Sequence, residues 1–67
     1  MNVFINDEPR ELNQGTTLDA LSRELGLESQ KGWAIALNDS IIPKERHLKS
    51  ILSEGDRVLI IKATQGG

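Results

Sequence analysis

The sequence predicts an α+β fold, a mixed sheet of four to five strands that packs on one main helix. Three observations support this fold class. A β-branched and aromatic run at residues 3–5 begins the chain, leucines at helical spacing follow within residues 16–26, and the most hydrophobic stretch, residues 57–62, comes late. A helix between an opening hairpin and later strands implies a right-handed crossover onto one sheet.

The N-terminal segment predicts a β-hairpin. Residues 3–5 form its first strand, residues 6–9 form its turn, and residues 10–13 form the returning strand. Because Pro9 has no N–H donor, we place it in the turn or at the first position of the returning strand.

The helix is predicted over residues 16–26 because three leucines recur on one face. They are Leu18, Leu21 and Leu25. Thr16, followed three residues later by Asp19, resembles a capping box, in which the hydroxyl accepts a hydrogen bond from a free N–H of the first turn. Gly26 stands where a helix ends, since glycine adopts the left-handed backbone conformation without a Cβ clash. We expect the leucine face to pack on the sheet.

The next segment predicts a second pair of strands. Residues 28–32 read as a loop, residues 33–37 as a strand, residues 38–40 as a turn and residues 41–42 as a short strand that ends at Pro43.

The last third of the chain predicts one more strand after an irregular stretch. Residues 44–50 are polar and predict a short or irregular segment, and residues 53–56 predict a turn. Three apolar side chains of this region are available to cover the core: Leu48, Ile51 and Leu52. Residues 57–62 form the final strand, which we place in the middle of the sheet because it is nearly all apolar.

Composition narrows the possible functions. The chain has 67 residues, no cysteine and one histidine, so disulfides, thiol catalysis and thiolate zinc sites are excluded. The histidine, His47, lies in a polar stretch and reads as a solvated surface side chain. A net charge of -2 with mixed signs gives no basic surface for nucleic acid or for a membrane.

The same reasoning gives an expected location. No apolar run approaches the roughly 18 residues that span a bilayer. The first residues show no basic region followed by a long apolar one, which is the pattern of a secretory signal. The expected location is therefore the cytoplasm.

The sequence carries no recognisable catalytic constellation. The carboxylates of Asp7, Glu8 and Glu11 lie in or beside the predicted turn of the hairpin and read as solvated. There is no phosphate-binding G-x-x-x-x-G-K-[ST] loop and no G-x-G-x-x-G motif. We therefore expect that the chain catalyses no reaction by itself and binds no cofactor or metal.

The C-terminal residues are the unusual feature. We predict a folded domain over residues 1–63 and a flexible tail over residues 64–67, which ends in Gly66 and Gly67. A frayed terminus is the simplest explanation of such a tail. Here, however, it follows directly on a predicted central strand, which fixes its base. Two residues without side chains can enter a narrow channel, and the ionised carboxylate of Gly67 can attack the α-phosphate of ATP that another protein supplies.

Three motifs of the C-terminal half carry a resemblance to a known family. They are Ala36-Leu37-Asn38-Asp39-Ser40-Ile41-Ile42-Pro43 followed by Lys44, Glu54-Gly55-Asp56-Arg57-Val58, and Gly66-Gly67. Residues 5–7, the helix start at residues 15–17 and the leucine stripe agree with them. The whole chain resembles the ubiquitin-like, β-grasp sulfur carriers, and most closely the ThiS family of thiamine biosynthesis.

The resemblance implies a mechanism. A ThiF-like adenylyltransferase would activate Gly67 with ATP, and sulfur from a persulfide, supplied by a cysteine desulfurase system, would replace AMP to give a thiocarboxylate. A ThiG-like thiazole synthase would then take the sulfur. Gly66, Gln65 and Thr64 would be recognised as part of the tail. In this scheme the chain is a substrate of its partners and holds no cofactor.

The resemblance also predicts a partner-binding surface. Strands alternate faces with period 2. Alignment from the terminal glycines places Val58 and Ile60 toward the helix. The predicted surface on the opposite side consists of Ile35, Leu59 and Ile61. The alternative is that all of these residues are core, as their hydrophobicity alone suggests. Trp33 lies two residues before Ile35 and would share its face, but it stands at a strand end, so the sequence does not decide which face Trp33 occupies.

Other functions fit parts of the same pattern. A ubiquitin-like modifier would join Gly67 to lysines of target proteins. The small subunit of molybdopterin synthase shares the Gly-Asp turn, but it usually has prolines near its tail, whereas residues 62–65 here are Lys-Ala-Thr-Gln. A plain interaction domain would use its sheet without activating its tail.

Overall fold

Three of the strands, β1 (Asn2–Ile5), β4 (Ser40–Ile42) and β5 (Arg57–Lys62), form where β-branched residues cluster, and all five strands assemble into one mixed sheet. The computed structural model describes residues 1–62. The predicted boundary at residue 63 and the predicted tail, residues 64–67, lie outside this range. The regular elements are β1 (Asn2–Ile5), β2 (Glu8–Glu11), α1 (Leu18–Glu24), β3 (Trp33–Leu37), β4 (Ser40–Ile42) and β5 (Arg57–Lys62), with 3₁₀ helices at Leu27–Ser29 and Lys44–Lys49.

The sheet has five strands in the order β2-β1-β5-β3-β4. β5 lies at its centre, parallel to β1 and antiparallel to β3. The predicted α+β roll, with a mixed sheet and one main helix, is confirmed, and so is the central position of the last strand. Within residues 1–62, no helix has the length and apolar character required to span a bilayer.

Two short turns of the same composition connect the hairpins. We call them the twin turns: Asn6-Asp7 joins β1 to β2, and Asn38-Asp39 joins β3 to β4. All four residues have positive φ angles, between 48° and 74°. Two-residue loops with this geometry are type I′ turns, whose twist matches that of the strands, and Asn and Asp tolerate the left-handed conformation better than most residues.

The first of these turns is tighter than predicted, so the prediction for β2 was wrong. The returning strand spans Glu8–Glu11 instead of residues 10–13, because two residues suffice to reverse the chain. Pro9 therefore lies at the second position of β2, opposite Phe4. A residue without an N–H donor is tolerated there because β2 is an edge strand.

The helix is shorter than predicted and its N-terminal cap lies one residue later. Thr17 Oγ1 accepts the hydrogen bond from the Ala20 amide at 3.1 Å. The Thr16 hydroxyl, which we predicted as the cap, instead donates to the Asn13 carbonyl at 2.7 Å. Gly26 has a φ of 75°, so its predicted role as the end of the helical segment is confirmed.

The core lies between the helix and one face of the sheet. Its buried hydrophobic residues are Val3, Leu12, Leu18, Leu21, Ile35, Leu52 and Val58. The prediction that three apolar side chains after β4 cover the core was right for Leu52 and wrong for Leu48 and Ile51, which are exposed.

His47 takes the inward position that we expected an apolar residue to occupy. The prediction of a solvated imidazole was wrong, because its side chain is 3% exposed. Its Nε2 lies 2.9 Å from the Ile42 carbonyl oxygen, and its ring centroid lies 5.9 Å from that of Trp33. The segment Lys44–Lys49 is a 3₁₀ helix, in which every third residue shares a face. When His47 points inward, Leu48 points to solvent.

The first twin turn holds β5 from the side of β1. The Asn6 backbone amide donates to the Val58 carbonyl at 2.9 Å. The Asn6 side-chain oxygen, Oδ1, accepts from the Ile60 amide at 2.8 Å. The side chain therefore takes the place of a strand carbonyl beyond the point where β1 turns away.

The second twin turn holds the start of β5 from the side of β3. The Asn38 amide donates to the Arg57 carbonyl at 2.8 Å, and Asn38 Oδ1 accepts from the Arg57 amide at 2.9 Å. The Asn38 Nδ2 also donates to Asp56 Oδ1 at 3.1 Å, while Asp56 Oδ2 accepts from the Ser53 amide at 2.7 Å. The predicted turn at residues 53–56 is thus joined to the hairpin by the carboxylate of Asp56.

Replacement of Asn6 by glycine tests the contribution of its side chain to stability. Glycine keeps the positive φ angle available, so the change removes the bond to the Ile60 amide without adding backbone strain. We expect Asn6→Gly to lower the free energy of unfolding by about 1 kcal/mol. Urea denaturation followed by circular dichroism measures it. The control is Asp7→Gly, which removes no observed hydrogen bond and which we expect to be neutral or stabilising; equal losses in both variants would contradict the prediction.

Candidate functional site

One face of the sheet carries no helix, and we call it the open face. Residues paired across neighbouring strands point to the same side, so the register identifies its members. Leu59 pairs with Ala36, and Ile61 pairs with Ala34. The large apolar side chains exposed on the open face are Phe4, Ile41, Leu59 and Ile61. They come from β1, β4 and β5 and therefore form one patch across the sheet.

Two of the three residues predicted for the partner-binding surface lie on the open face. Leu59 is 49% exposed and Ile61 is 41% exposed. Contiguous apolar side chains on a small protein commonly mark a partner site, which remains a prediction for these residues.

The third residue, Ile35, was placed on the wrong face. It is 0% exposed and belongs to the core. The register pairs Ile35 with Ile60, which also points toward the helix, and puts Ala34 and Ala36 on the open face instead. The error is a shift of one residue in β3, and a shift of one residue exchanges the two faces of a strand.

Trp33 lies on the helix side of the sheet, a point that the sequence alone did not decide. It pairs with Lys62 and packs against the core. Its Nε1 donates to the Gln30 carbonyl at 3.1 Å, and the Lys44 ammonium lies 4.5 Å from the centre of its ring. Trp33 is therefore not available as part of the open face.

The sequence reasoning missed several residues of the open face. A shallow depression of about 400 Å³ extends over it, lined by the apolar patch together with Asp7, Asp39 and Arg57. The sequence pattern predicts Phe4 and Ile41 as strand residues without assigning them to a face. The signal that identifies them is the cross-strand register, because Phe4 pairs with Arg57 and Ile41 pairs with Ala36.

Charges are distributed differently on the two sides of the sheet. On the helix side, Arg23 pairs with Asp19 at 3.0 Å and with Glu28 at 3.2 Å. The hydrogen bond to Asp19 raises the pKa of the Arg23 guanidinium above its usual value. In contrast, Asp7 and Asp39 make no ion pair within residues 1–62.

β5, which contributes Leu59 and Ile61 to the open face, is also the strand that precedes Gly67, the predicted reacting residue. β5 ends at Lys62. Thr64, Gln65, Gly66 and Gly67, which we predicted as the recognised and modified tail, lie outside the described residues. In the part of the chain that the structure covers, no three His, Asp or Glu side chains are grouped so that they could hold a metal ion. We predict that this arrangement docks a partner beside the end of β5.

Comparison with known proteins gives a consistent result. The model of the ThiS family matches residues 3–67. The chain is 31% identical over 67 residues to the sulfur carrier protein ThiS of Escherichia coli K12, and the alignment covers all of both chains. It is 34% identical over 67 residues to a thiazole synthase of Paramagnetospirillum magneticum, covering all of this chain and 20% of that protein.

A solved structure agrees in fold. The crystal structure of the thiamine biosynthesis protein ThiS from Geobacter metallireducens matches all of both chains with a TM-score of 0.84. Sequence identity between the two is 20%, so this similarity concerns the β-grasp fold.

A pair of aspartate substitutions distinguishes the open face from the core. Leu59→Asp places a charge at a half-exposed position, and we expect it to cost about 1 kcal/mol or less of stability. Ile35→Asp buries a carboxylate without a partner, which costs several kcal/mol and leaves a small domain unfolded. Far-ultraviolet circular dichroism with thermal unfolding measures both. Loss of the folded signal in Leu59→Asp would show that this residue belongs to the core.

Proposed function

This chain belongs to the ThiS family, and we propose that it carries sulfur for thiamine biosynthesis as a thiocarboxylate on Gly67. The observation that supports the proposal most strongly is the full-length alignment with a sulfur carrier protein, at 31% identity. The family match includes the two terminal glycines, so it extends over the residues that the proposed chemistry requires.

The proposed chemistry converts a poor acyl donor into an activated one. A carboxylate oxygen of Gly67 attacks the α-phosphorus of ATP, pyrophosphate leaves, and an acyl adenylate forms. The terminal sulfur of a persulfide then attacks the carbonyl carbon, and AMP leaves. A thiol cleaves the resulting acyl disulfide, which releases the thiocarboxylate and a new disulfide. The thiocarboxylate holds sulfur as a defined nucleophile until it is transferred.

Other proteins perform these steps in our proposal. A ThiF-like adenylyltransferase supplies the ATP site, and a cysteine desulfurase system supplies the persulfide. A ThiG-like thiazole synthase consumes the sulfur. The thiazole synthase that contains a segment similar to this whole chain supports the last of these partners. The chain itself acts as a carrier and a substrate in this proposal, and its expected location is the cytoplasm, where ATP is available.

Within this scheme the folded domain positions the tail for its partner enzymes. The twin turns bind β5 on both sides through Asn6 and Asn38, so the strand that precedes the tail is fixed. Leu59 and Ile61 lie on that strand and face outward, beside the base of the tail. A partner that docks on the open face would then bind Thr64, Gln65 and Gly66, the residues that precede the carboxylate of Gly67.

Intact mass spectrometry tests the proposed function. The chain is incubated with ATP, a ThiF-like adenylyltransferase, a cysteine desulfurase, cysteine and a thiol. We expect the mass increase that accompanies replacement of one oxygen by sulfur, located at Gly67 by fragmentation. Linkage of the whole chain to lysines of other proteins, without this increase, would instead indicate a modifier.

Two tail variants serve as controls for this experiment. Deletion of Gly67 and addition of one alanine after it both leave a C-terminal carboxylate, but they change its reach or the residue that carries it. We expect neither variant to gain sulfur, while both keep the unfolding curve of the parent chain. Normal sulfur transfer to either one, or normal thiazole formation in cells that depend on it, would rule out the proposal.

A further inference from the structure

The open face has acidic groups at its border as well as an apolar centre. Asp7 and Asp39 line the same depression as Phe4, Leu59 and Ile61. The two aspartates belong to different hairpins, and the twin turns bring both of them to this face. A partner that covers the apolar patch therefore has to accommodate two carboxylates.

The twin turns hold these carboxylates on a well-defined backbone. Each aspartate follows an asparagine whose backbone amide and side-chain oxygen both form hydrogen bonds with the backbone of β5. A group whose backbone is already fixed loses less conformational freedom when a partner binds. Asp7 and Asp39 are thus well placed to contribute to recognition.

Within residues 1–62, the charges of Asp7 and Asp39 are not neutralised by ion pairs on their own chain. Arg57 lines the same depression but lies beyond ion-pair distance of both. An apolar patch with exposed carboxylates at its border is complementary to an apolar patch with arginine or lysine side chains at corresponding positions. Such border charges act chiefly on partner choice and on the rate of association.

One comparison favours a particular partner. A thiazole synthase contains a segment similar to the whole of this chain, so in that protein such a segment and the synthase lie on one polypeptide. In our proposed function the two are separate proteins, which have to find each other by diffusion. Electrostatic complementarity would then speed the association of two proteins that no covalent link holds together.

We propose that the open face docks on thiazole synthase through an apolar surface that carries two basic side chains, which meet Asp7 and Asp39. This inference rests on the proposed function. A second copy of this chain fits less well. Two open faces in contact would bring together four border carboxylates and only two arginines, the two copies of Arg57, which leaves negative charge uncompensated. Self-association is therefore an outcome that the experiment must detect.

The experiment measures equilibrium binding of the purified full chain to thiazole synthase at two salt concentrations. The test variant is Asp7→Asn with Asp39→Asn, because asparagine keeps the shape and the tolerance of positive φ angles. We expect at least about five-fold weaker binding at low salt, and a much smaller difference in about 1 M salt, where charges are screened beyond about 3 Å.

A matched control separates position from net charge. Glu28→Gln with Glu45→Gln removes the same number of negative charges from exposed positions outside the depression. We expect this control to bind thiazole synthase as the parent chain does. Equal weakening in the test and control variants would overturn the inference, because the effect would then come from overall charge.

A second test variant excludes misfolding as the cause. Asp7→Gly with Asp39→Gly removes both carboxylates and relieves two left-handed residues that carry a Cβ. We expect its stability to equal or exceed that of the parent chain while its binding is weakened as in the asparagine variant. Unchanged binding would overturn the proposal.

The remaining outcomes are also decisive. Weaker activation by the adenylyltransferase with normal binding to thiazole synthase would assign the carboxylates to another partner and overturn the inference. A parent chain that dimerises through the open face in analytical ultracentrifugation would overturn it as well. Sulfur loading of the parent chain by mass spectrometry tests the proposed function separately, so failure of one can be told from failure of the other.

Discussion

The position of β5 is the constraint on which the rest of the structure depends. Two asparagines hold this strand from opposite sides, each through a backbone amide and a side-chain oxygen. Asn6 extends the support beyond the point where β1 turns away, and Asn38 fixes the first residue of the strand. These bonds set the register of β5 against its neighbours. The register in turn decides which side chains form the core and where the chain leaves the sheet.

Because β5 is central, its alternation divides the molecule into a stabilising face and an exposed face. Val58 is buried against the helix, whereas Leu59 and Ile61 remain exposed. A chain of 67 residues has a small core, so large apolar side chains left in solvent are a loss of stability that needs a reason. In our proposal, partner binding supplies that reason, since a partner that docks on the patch would bury it.

The proposed function separates position from chemistry. In our scheme the domain presents a carboxylate and a docking surface, while partner enzymes supply nucleotide, sulfur and acceptor. This division suits a chain of this size, because a narrow tail can enter an enclosed active site that a small domain cannot itself form. The acidic border of the open face adds a means by which one such partner is distinguished from other proteins.

The sequence alone determined the order of the strands and the main helix, the bounds of β3 and β5 and the ThiS-family likeness, because apolar periodicity, turn residues and local motifs are properties of neighbouring residues. Tertiary structure decided what depends on pairing between distant segments. The face of Ile35 follows from its register with Ile60, and the burial of His47 follows from the 3₁₀ geometry of a segment packed against the helix. A one-residue shift is nearly neutral in local energy, yet it exchanges core for surface.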